Sequence, residues 1–137
     1  MIYLDSWVWL EYGLEQEHEV VAREIIDDAR QHGGVVSTIG LTEIDYILTR
    51  ELDRDSADQI TSGIEDMERV SVVPVTTEVA RLASTLRSKY YDRQTRELSY
   101  ADAIHVATAT LLDCTALHTG DDDFDGIDEV PAVVHST

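Results

Sequence analysis

The sequence predicts an α/β fold, a three-layer α/β/α sandwich around a central, mostly parallel sheet of four to five strands. Short apolar runs of strand length alternate with longer segments whose apolar residues recur at helical spacing. That alternation is typical of a parallel sheet covered by helices on both faces. The 137 residues are 43% hydrophobic, enough to bury one core, and no linker, repeat or low-complexity segment divides them. We therefore expect one domain, 1–137.

The first half of the chain contributes two predicted strands and four helices. The run Ile2–Leu4 is a short strand that stops at the acid Asp5. Across residues 20–31 the apolar positions repeat with the period of a helix, which Gly33 and Gly34 end. The other predicted elements are a helix at 7–12, a strand at 35–37, a helix at 38–52 and a helix at 55–68.

The second half repeats the pattern of strand followed by helix. Residues 70–75 form a β-rich run, and Thr76 with Thr77 provides a cap for a helix that continues through Tyr90. An alanine-rich helix starts after Ser99, a strand follows at 115–119, and residues 132–135 form an expected edge strand. Between the last two strands lies an acidic turn, Gly120-Asp121-Asp122-Asp123-Phe124-Asp125-Gly126.

The charge balance is the most unusual property of the composition. The chain has 28 Asp and Glu residues against 10 Lys and Arg, for a formal net charge of −18. A surface this acidic repels itself at ordinary ionic strength, whereas molar salt shortens the Debye length to about 3 Å and screens the repulsion. The composition resembles that of haloarchaeal proteins and predicts a high-salt cytoplasm. A basic partner bound to the acidic surface is the alternative explanation.

The cysteine content and the first residues also indicate a reducing, cytoplasmic location. Cys114 is the single cysteine, so no intramolecular disulfide forms. The chain opens without a basic segment and reaches an acid at position 5, unlike a secretory signal peptide. No apolar run approaches the length of a transmembrane helix, so we expect no membrane association.

The alanine-rich segment 99–109 places one carboxylate, Asp102, in the first turn of a helix. His105 lies one turn later on the same helix face. Ser99 and Asp102 have the spacing of a capping box, so a purely structural role for Asp102 is an alternative to a functional one. His105 likewise has two interpretations, a packed or hydrogen-bonded residue and a contact to substrate.

Four acids from distant segments are predicted to meet at one edge of the sheet. Ligands bind parallel sheets outside the carboxyl ends of the strands. Asp5 ends the first strand, Glu43 lies in the helix after the second, and Asp121 follows strand 115–119. The helix that carries Asp102 runs antiparallel to the strand after it, which brings Asp102 to the same edge.

Such a cluster of acids restricts the chemistry of the site. Carboxylates within a few ångströms of one another stay ionised only beside a cation, and otherwise their pKa values rise. Oxygen donors without cysteine favour a hard ion, Mg²⁺ or Mn²⁺, over zinc. These ions suit the hydrolysis of phosphodiesters, because they lower the pKa of an attacking water.

Four motifs, in order, resemble the PIN-domain nucleases. They are Asp5-Ser6 after a strand, Glu43 in a helix, Asp-Ala-x-x-x-Ala-x-Ala at 102–109, and Thr119-Gly120-Asp121-x-Asp123-Phe124. Their length, order and spacing are similar to those of the single-domain VapC-type toxins of prokaryotic toxin–antitoxin pairs, over essentially the whole chain. The resemblance implies a PIN-like fold, a metal-dependent endoribonuclease that cleaves RNA, a homodimer, and a small antitoxin protein that blocks the site.

The resemblance also implies roles for individual residues. The implied catalytic acids are Asp5, Glu43, Asp102 and Asp121. The implied ligands of Mg²⁺ or Mn²⁺ are Asp5, Asp102, Asp121 and Asp123. Ser6 and Thr119 would hydrogen-bond the carboxylates or a bound water. The run of three acids leaves open whether Asp121 or Asp123 is the fourth acid, and the position of Asp121 directly after Thr119-Gly120 favours Asp121.

Three other functions stay open at this point. A stand-alone PIN nuclease that processes RNA without an antitoxin would carry the same acids. A non-catalytic PIN-like binding module would keep the fold alone, although the presence of all four acids argues against it. The third is calcium binding, because Asp121-x-Asp123-x-Asp125-Gly126 matches the opening of an EF-hand loop. Position twelve of that loop is Ala132, where a bidentate Glu is needed.

A basic segment precedes the helix of Asp102. Four of the ten basic residues fall within ten positions, with Tyr90 and Tyr91 among them. Basic residues beside aromatic rings suit contact with an RNA backbone and stacking of bases. Basic residues placed to match the dipole of a helix end are the alternative. The predicted RNA contacts are Arg87, Lys89, Arg93 and Arg96.

Replacing both Arg93 and Arg96 by Gln tests the RNA-contact hypothesis. We expect the double variant to bind RNA more weakly and to stay folded, because two phosphate contacts are lost while no core residue changes. Fluorescence anisotropy measures the affinity for RNA, and circular dichroism measures the fold. A folded variant with unchanged affinity would contradict the hypothesis.

Overall fold

Five short strands form one parallel sheet, and helices cover both of its faces. The computed structural model describes residues 1–135, so Ser136 and Thr137, at the end of the predicted 1–137 domain, lie outside the described residues. The strands are β1 (Ile2–Leu4), β2 (Gly34–Ser37), β3 (Val70–Val73), β4 (Leu117–Thr119) and β5 (Ala132–Val134). Their order in the sheet is β3-β2-β1-β4-β5, and all four pairings are parallel.

Six helices and a short 3₁₀ turn complete the described residues. The helices are α1 (Ser6–Gly13), α2 (Glu19–His32), α3 (Thr38–Glu51), α4 (Arg54–Asp66), α5 (Thr77–Tyr90) and α6 (Tyr100–Leu111). The 3₁₀ turn, Asp122–Phe124, lies between β4 and β5. The predicted three-layer α/β/α architecture is thus confirmed. Within residues 1–135, none of the helices combines the length and the apolar character needed to cross a membrane.

Side chains that alternate along the central strands divide the interior into two cores. Tyr3 and Leu117 point to the face covered by α5 and α6. Leu4 and Val36 point to the opposite face, where they pack with the buried residues of α1, α2 and α3. Both faces of β1 are therefore shielded from solvent, which explains why its three residues are apolar and all buried.

Side-chain caps set the starts of several helices. The Ser37 hydroxyl accepts the Ile39 amide N–H at the start of α3, and the Thr76 hydroxyl accepts the Val79 N–H at the start of α5. The cap predicted at Thr76 is confirmed. Asp5 caps α1 by accepting the N–H of Ser6, so this helix begins one residue before its predicted start.

Several predicted elements are shorter than the sequence suggested, among them the strand predicted at 115–119, which starts at Leu117. The strand predicted at 70–75 ends at Val73, because Pro74 has no N–H to donate to a neighbouring strand. The amide of Val75 instead donates to the hydroxyl of Thr38 at 3.2 Å. The helix predicted at 55–68 runs from Arg54 to Asp66 and stops where Met67 becomes extended.

The pairing of β1 with β4 places two polar residues side by side. Leu4 is opposite His118 in the sheet, and the amide of Asp5 donates to the His118 carbonyl at 3.1 Å. The next residue of β4 is Thr119, which therefore lies beside Asp5 at the carboxyl edge. The register of β1 and β4 thus brings together two residues that are 114 positions apart in the sequence, Asp5 and Thr119, at the base of the site.

Gly34 marks the closest approach of β2 to α2. A Cβ atom at this position would lie 2.7 Å from Ala29 Cβ and 3.0 Å from Leu4 Cδ1, whereas a Cβ at Gly63 on α4 would meet nothing within 4 Å. We predict that Gly34→Ala lowers the free energy of unfolding by about 1–3 kcal/mol through overpacking. The matched control Gly63→Ala should raise that free energy by about 0.5–1 kcal/mol.

Urea denaturation of both variants in molar KCl measures these changes. A Gly34→Ala protein as stable as the wild type would show that β2 and α2 are not in tight contact.

Candidate functional site

The carboxyl ends of β1 and β4 open into a cavity of about 600 Å³. Acids from four separate segments of the chain line it, together with two apolar side chains. The lining residues are Asp5, Ser6, Trp7, Leu10, Glu43, Asp102, Gly120, Asp121, Asp122 and Asp123. The structure therefore brings together every acid that the sequence placed at this edge.

Asp5 is the most deeply buried of these acids, with 6% of its surface exposed. The Thr119 hydroxyl donates to its Oδ2 at 2.7 Å, and the Ser6 amide donates to its Oδ1 at 2.8 Å. The Ser6 hydroxyl lies 3.4 Å from the same Oδ1. Burial of a carboxylate is costly unless hydrogen bonds compensate, and here both oxygens are compensated. Ser6 and Thr119 thus hydrogen-bond the Asp5 carboxylate, and their role beside a bound water stays a prediction.

Asp102 both caps α6 and lines the cavity. The Ser99 hydroxyl accepts the Asp102 amide at 3.0 Å, and Asp102 Oδ2 accepts the Ser99 amide at 3.1 Å, so the capping box is present. The same carboxylate lines the cavity. Burial raises the pKa of Asp102 to about 6, the Ser99 hydrogen bonds oppose the rise, and the charges of Asp121 and Asp5 add to it. Capping therefore does not exclude a functional role.

Asp121 starts the 3₁₀ turn at the rim of the cavity. Its amide donates to the Thr119 hydroxyl at 3.1 Å, and its Oδ1 accepts the Asp123 amide at 2.9 Å. Burial raises the pKa of Asp121, and the charges of Asp123 and Asp5 raise it further. Thr119 therefore touches both Asp5 and Asp121, which fixes the distance between two strand ends.

Gly120 is required here by a close contact. A Cβ at this position would lie 2.2 Å from the indole nitrogen of Trp7. The Trp7 ring thus packs directly on the backbone of the acidic loop and forms one wall of the cavity.

Glu43 reaches the cavity from α3, opposite β1. His105 on α6 is completely buried, and its Nε2 lies 2.7 Å from Glu43 Oε1 and 3.3 Å from Asp5 Oδ1. Its Nδ1 lies 2.5 Å from the hydroxyl of Tyr3. Burial alone would lower the pKa of His105, but the Asp5 charge and the Glu43 hydrogen bond outweigh it and raise the pKa. His105 is therefore packed and hydrogen-bonded, the first of its two predicted interpretations.

Sequence reasoning missed three residues of this region. The sequence predicts Tyr3 only as part of a strand, although strand alternation places it on the same face as Asp5. Trp7 and Leu10 supply the apolar wall of the cavity. Their positions three residues apart on α1, directly after Asp5, were the available signal.

The donor set of the cavity fits a hard metal ion. Asp5 and Glu43 each bring a carboxylate oxygen next to His105 Nε2, and the three atoms lie within 4.8 Å of one another. Asp102 and Asp121, whose pKa values are raised by burial and by neighbouring acids, line the same cavity. An excess of carboxylate oxygen at one point is what Mg²⁺ and Mn²⁺ require.

The PIN domain family model matches residues 2–130 of the chain. The chain belongs to the PIN-domain family. The match spans the first four strands, β1 to β4, and the acidic loop, and so includes every acid that lines the cavity. No curated protein matches the chain.

Solved structures of toxin–antitoxin proteins share the fold of this PIN domain. VapC20 of Mycobacterium tuberculosis, described as a sarcin-ricin loop cleaving toxin, superimposes with a TM-score of 0.78 at 21% identity, over 95% of this chain and 98% of that one. A chain of VapBC2 from Rickettsia felis, bound to promoter DNA, gives 0.75 at 14% identity, over 97% and 98%. FitAcB from Neisseria gonorrhoeae gives 0.70 at 20% identity, over 96% of each chain.

The basic segment of this PIN domain contains a stacked arginine. The Arg87 guanidinium lies 4.2 Å from the Tyr91 ring centroid and 4.3 Å from that of Tyr100. Its Nε donates to the Leu98 carbonyl at 3.0 Å. Arg87 therefore ties the end of α5 to the start of α6.

The three other basic residues of the segment differ in how they are held. Lys89 forms an ion pair with Glu129 at 2.9 Å, and Arg96 donates to the Asp125 carbonyl at 2.5 Å. Arg93 is exposed and makes no hydrogen bond or ion pair with any residue between 1 and 135. Arg93 is therefore the basic residue of this segment that is exposed and unpaired among residues 1–135, and contact with RNA stays a prediction for all four.

The acidic loop of the PIN domain is not an EF-hand. Phe124 is completely buried in the middle of the loop, and the 3₁₀ turn leads to β5 where an EF-hand needs an exiting helix. The calcium-loop alternative is therefore wrong. The acids of this loop belong to a 3₁₀ turn that Asp121 caps.

Asp102→Asn should stabilise the metal-free protein. The pKa of Asp102 in the folded state is above its ordinary value, so its ionised form opposes folding above about pH 6, and this cost disappears below about pH 4. At pH 7 we expect the free energy of unfolding to rise by about 1–2 kcal/mol, after allowance for the solvent that reaches the carboxylate. Asn keeps an acceptor for the Ser99 amide, so the cap is retained.

Urea denaturation with EDTA at pH 7 and pH 4 measures the difference between variant and wild type. The difference in the free energy of unfolding between Asp102→Asn and the wild type should shrink toward zero at pH 4. For Asp27→Asn, which replaces an exposed acid on α2, the difference should be the same at both pH values. A variant less stable than the wild type at pH 7 would show that the ionised carboxylate stabilises the fold.

Proposed function

We propose that this PIN domain is a metal-dependent endoribonuclease that hydrolyses RNA phosphodiester bonds and acts as the toxin of a VapBC-type toxin–antitoxin pair. The observation that carries the proposal is the convergence of Asp5, Glu43, Asp102 and Asp121 on one cavity at the carboxyl edge of the sheet. Membership of the PIN-domain family supports it.

Asp5, Asp102 and Asp121 would hold Mg²⁺ or Mn²⁺, with Asp123 as the neighbouring acid of the same loop. Such an ion supplies Lewis-acid polarisation of a phosphodiester and lowers the pKa of an attacking water. The fit of the donor set supports this assignment, because carboxylates at this density need a cation to stay ionised together.

The chain's own residues would contribute positioning and charge. Asp5 is held on both oxygens by Thr119 and Ser6, so its carboxylate keeps one orientation. Asp102 has one oxygen fixed by the Ser99 amide, and among residues 1–135 its other oxygen accepts no hydrogen bond. Glu43, on the opposite side of the cavity, would orient the ion or accept the proton of the attacking water.

RNA and an antitoxin are the proposed partners. The acidic surface repels RNA at ordinary salt, so the proposed RNA contacts are the basic segment with Arg93 at its exposed position, and binding is expected under the salt conditions that screen the surface. Solved neighbours include a toxin–antitoxin complex from Klebsiella pneumoniae, 21% identical. We propose a small antitoxin for this chain as well, and a homodimer in its free state.

Cleavage of tRNA and ribosomal RNA in molar KCl tests the proposal. We expect the wild type to cleave with Mg²⁺ or Mn²⁺ and to stop when EDTA is added, and we expect Asp102→Asn to be at least about 100-fold slower, since it loses a ligand of the proposed ion. Asp27→Asn is the matched control and should cleave as the wild type does. Circular dichroism establishes that all three proteins are folded.

Two outcomes would redirect the proposal. Cleavage that survives in Asp102→Asn would remove this acid from the chemistry and leave it as a helix cap. Metal binding without cleavage, or neither, would favour the non-catalytic binding module. A gene for a small protein directly upstream separates a toxin from a stand-alone nuclease.

A further inference from the structure

His105 is a buried ionisable residue to which the proposed mechanism gives no role. Its ring lies in the centre of the molecule, none of its surface exposed, between β1, α3 and α6. The backbone of α3 approaches it at Gly40, where a Cβ would lie 3.4 Å from His105 Cε1. A close-packed ring in this place cannot rotate, so its two nitrogens have fixed partners.

The partners of Nε2 decide where the proton of the ring lies. Nε2 faces Glu43 Oε1 at 2.7 Å and Asp5 Oδ1 at 3.3 Å. Ionised carboxylates only accept hydrogen bonds, so Nε2 carries a proton in the neutral imidazole and in the charged one alike. A protonated nitrogen has no lone pair for a metal. His105 is thereby a donor to the acids.

Tyr3 completes the arrangement on the other side of the ring. Its hydroxyl lies 2.5 Å from His105 Nδ1, and the two rings meet edge to face with centroids 5.6 Å apart. When Nε2 carries the proton of neutral His105, Nδ1 is an acceptor, and the Tyr3 hydroxyl donates to it. This pairing favours the same Nε2–H tautomer.

Glu43 depends on this donor. Among residues 1–135, His105 Nε2 is the one hydrogen-bond donor to the Glu43 carboxylate, whereas Asp5 also has Thr119 and Ser6. Glu43 is about one third exposed, so without His105 its side chain would be free to turn toward solvent.

We propose that His105 is a positioning residue of the acidic site: its Nε2–H holds the Glu43 carboxylate against that of Asp5, Tyr3 fixes the ring, and His105 is not a metal ligand. The inference rests on the metal site of the proposed function but not on RNA cleavage. Both Asp5 and Glu43 line the cavity.

The tautomer of His105 is measured directly by long-range ¹H–¹⁵N correlation of the full, uniformly ¹⁵N-labelled chain. In metal-free protein we expect the proton on Nε2, and we expect it to remain there when Mg²⁺ is added to saturation. His32, exposed on α2 with its Nδ1 2.8 Å from Asp28 Oδ1, is the internal reference for a solvent-exposed ring. Loss of the Nε2 proton on addition of Mg²⁺ would make His105 a ligand and overturn the proposal.

Two substitutions separate positioning from mere packing. His105→Leu removes the donor, and we expect the affinity for Mn²⁺ in calorimetry to fall about 10- to 100-fold, as for other residues that orient ligands. His105→Gln restores an N–H donor and should recover part of that loss, while His32→Leu should bind as the wild type does. Unchanged Mn²⁺ affinity in folded His105→Leu would overturn the proposal.

A third variant covers the case in which His105→Leu does not fold. Tyr3→Phe removes only the hydroxyl, and we expect its Nε2 proton to remain because the acids still face that nitrogen. A proton found on Nδ1 in this variant would overturn the proposal. A wild type that binds no Mn²⁺ would overturn both this inference and the proposed function, whereas Mn²⁺ binding without RNA cleavage would overturn the nuclease alone.

Discussion

Repulsion among carboxylates at the carboxyl edge of the sheet is the constraint on which the site depends. Asp5 is stabilised there because Thr119 and Ser6 donate to both of its oxygens. Asp102 is less well compensated, and burial raises its pKa to about 6. Several acids in one cavity lower the stability of the fold when no cation is bound. Carboxyl groups with shifted pKa values are common at functional sites.

The parallel sheet is what makes this concentration of charge possible. β1 and β4 are neighbours in the sheet although 114 residues separate Asp5 from Thr119. Asp5, after β1, and Asp121, after β4, therefore lie in the same cavity. α6 adds Asp102 from its first turn, and α3 adds Glu43 from across the edge. His105, on α6, is hydrogen-bonded to Tyr3 on β1 and to Glu43 on α3, and so connects these three elements.

The sequence predicted the elements and the meeting of the acids, because both depend on local signals. Helical spacing in 20–31 and an acid directly after Ile2–Leu4 are visible without a structure. The Tyr3–His105–Glu43 contacts were not predictable, since they join residues 102 and 62 positions apart whose pairing only the packing decides. The EF-hand interpretation was wrong because it rested on a local pattern of acids alone. Such a pattern cannot show that Phe124, which lies among these acids, is buried in the core. At Ser99 and Asp102, the two alternatives proved compatible.

Calorimetric titration of Mn²⁺ into metal-free protein in molar KCl tests the central claim that these acids form one cation site. The account predicts saturable binding by the wild type, weakened at least about tenfold by Asp5→Asn and equally by Asp121→Asn, which lie in distant segments. Asp27→Asn, on the exposed side of α2, should bind as the wild type does. Equal binding by all four proteins would contradict the account and assign the bound ions to the acidic surface as a whole.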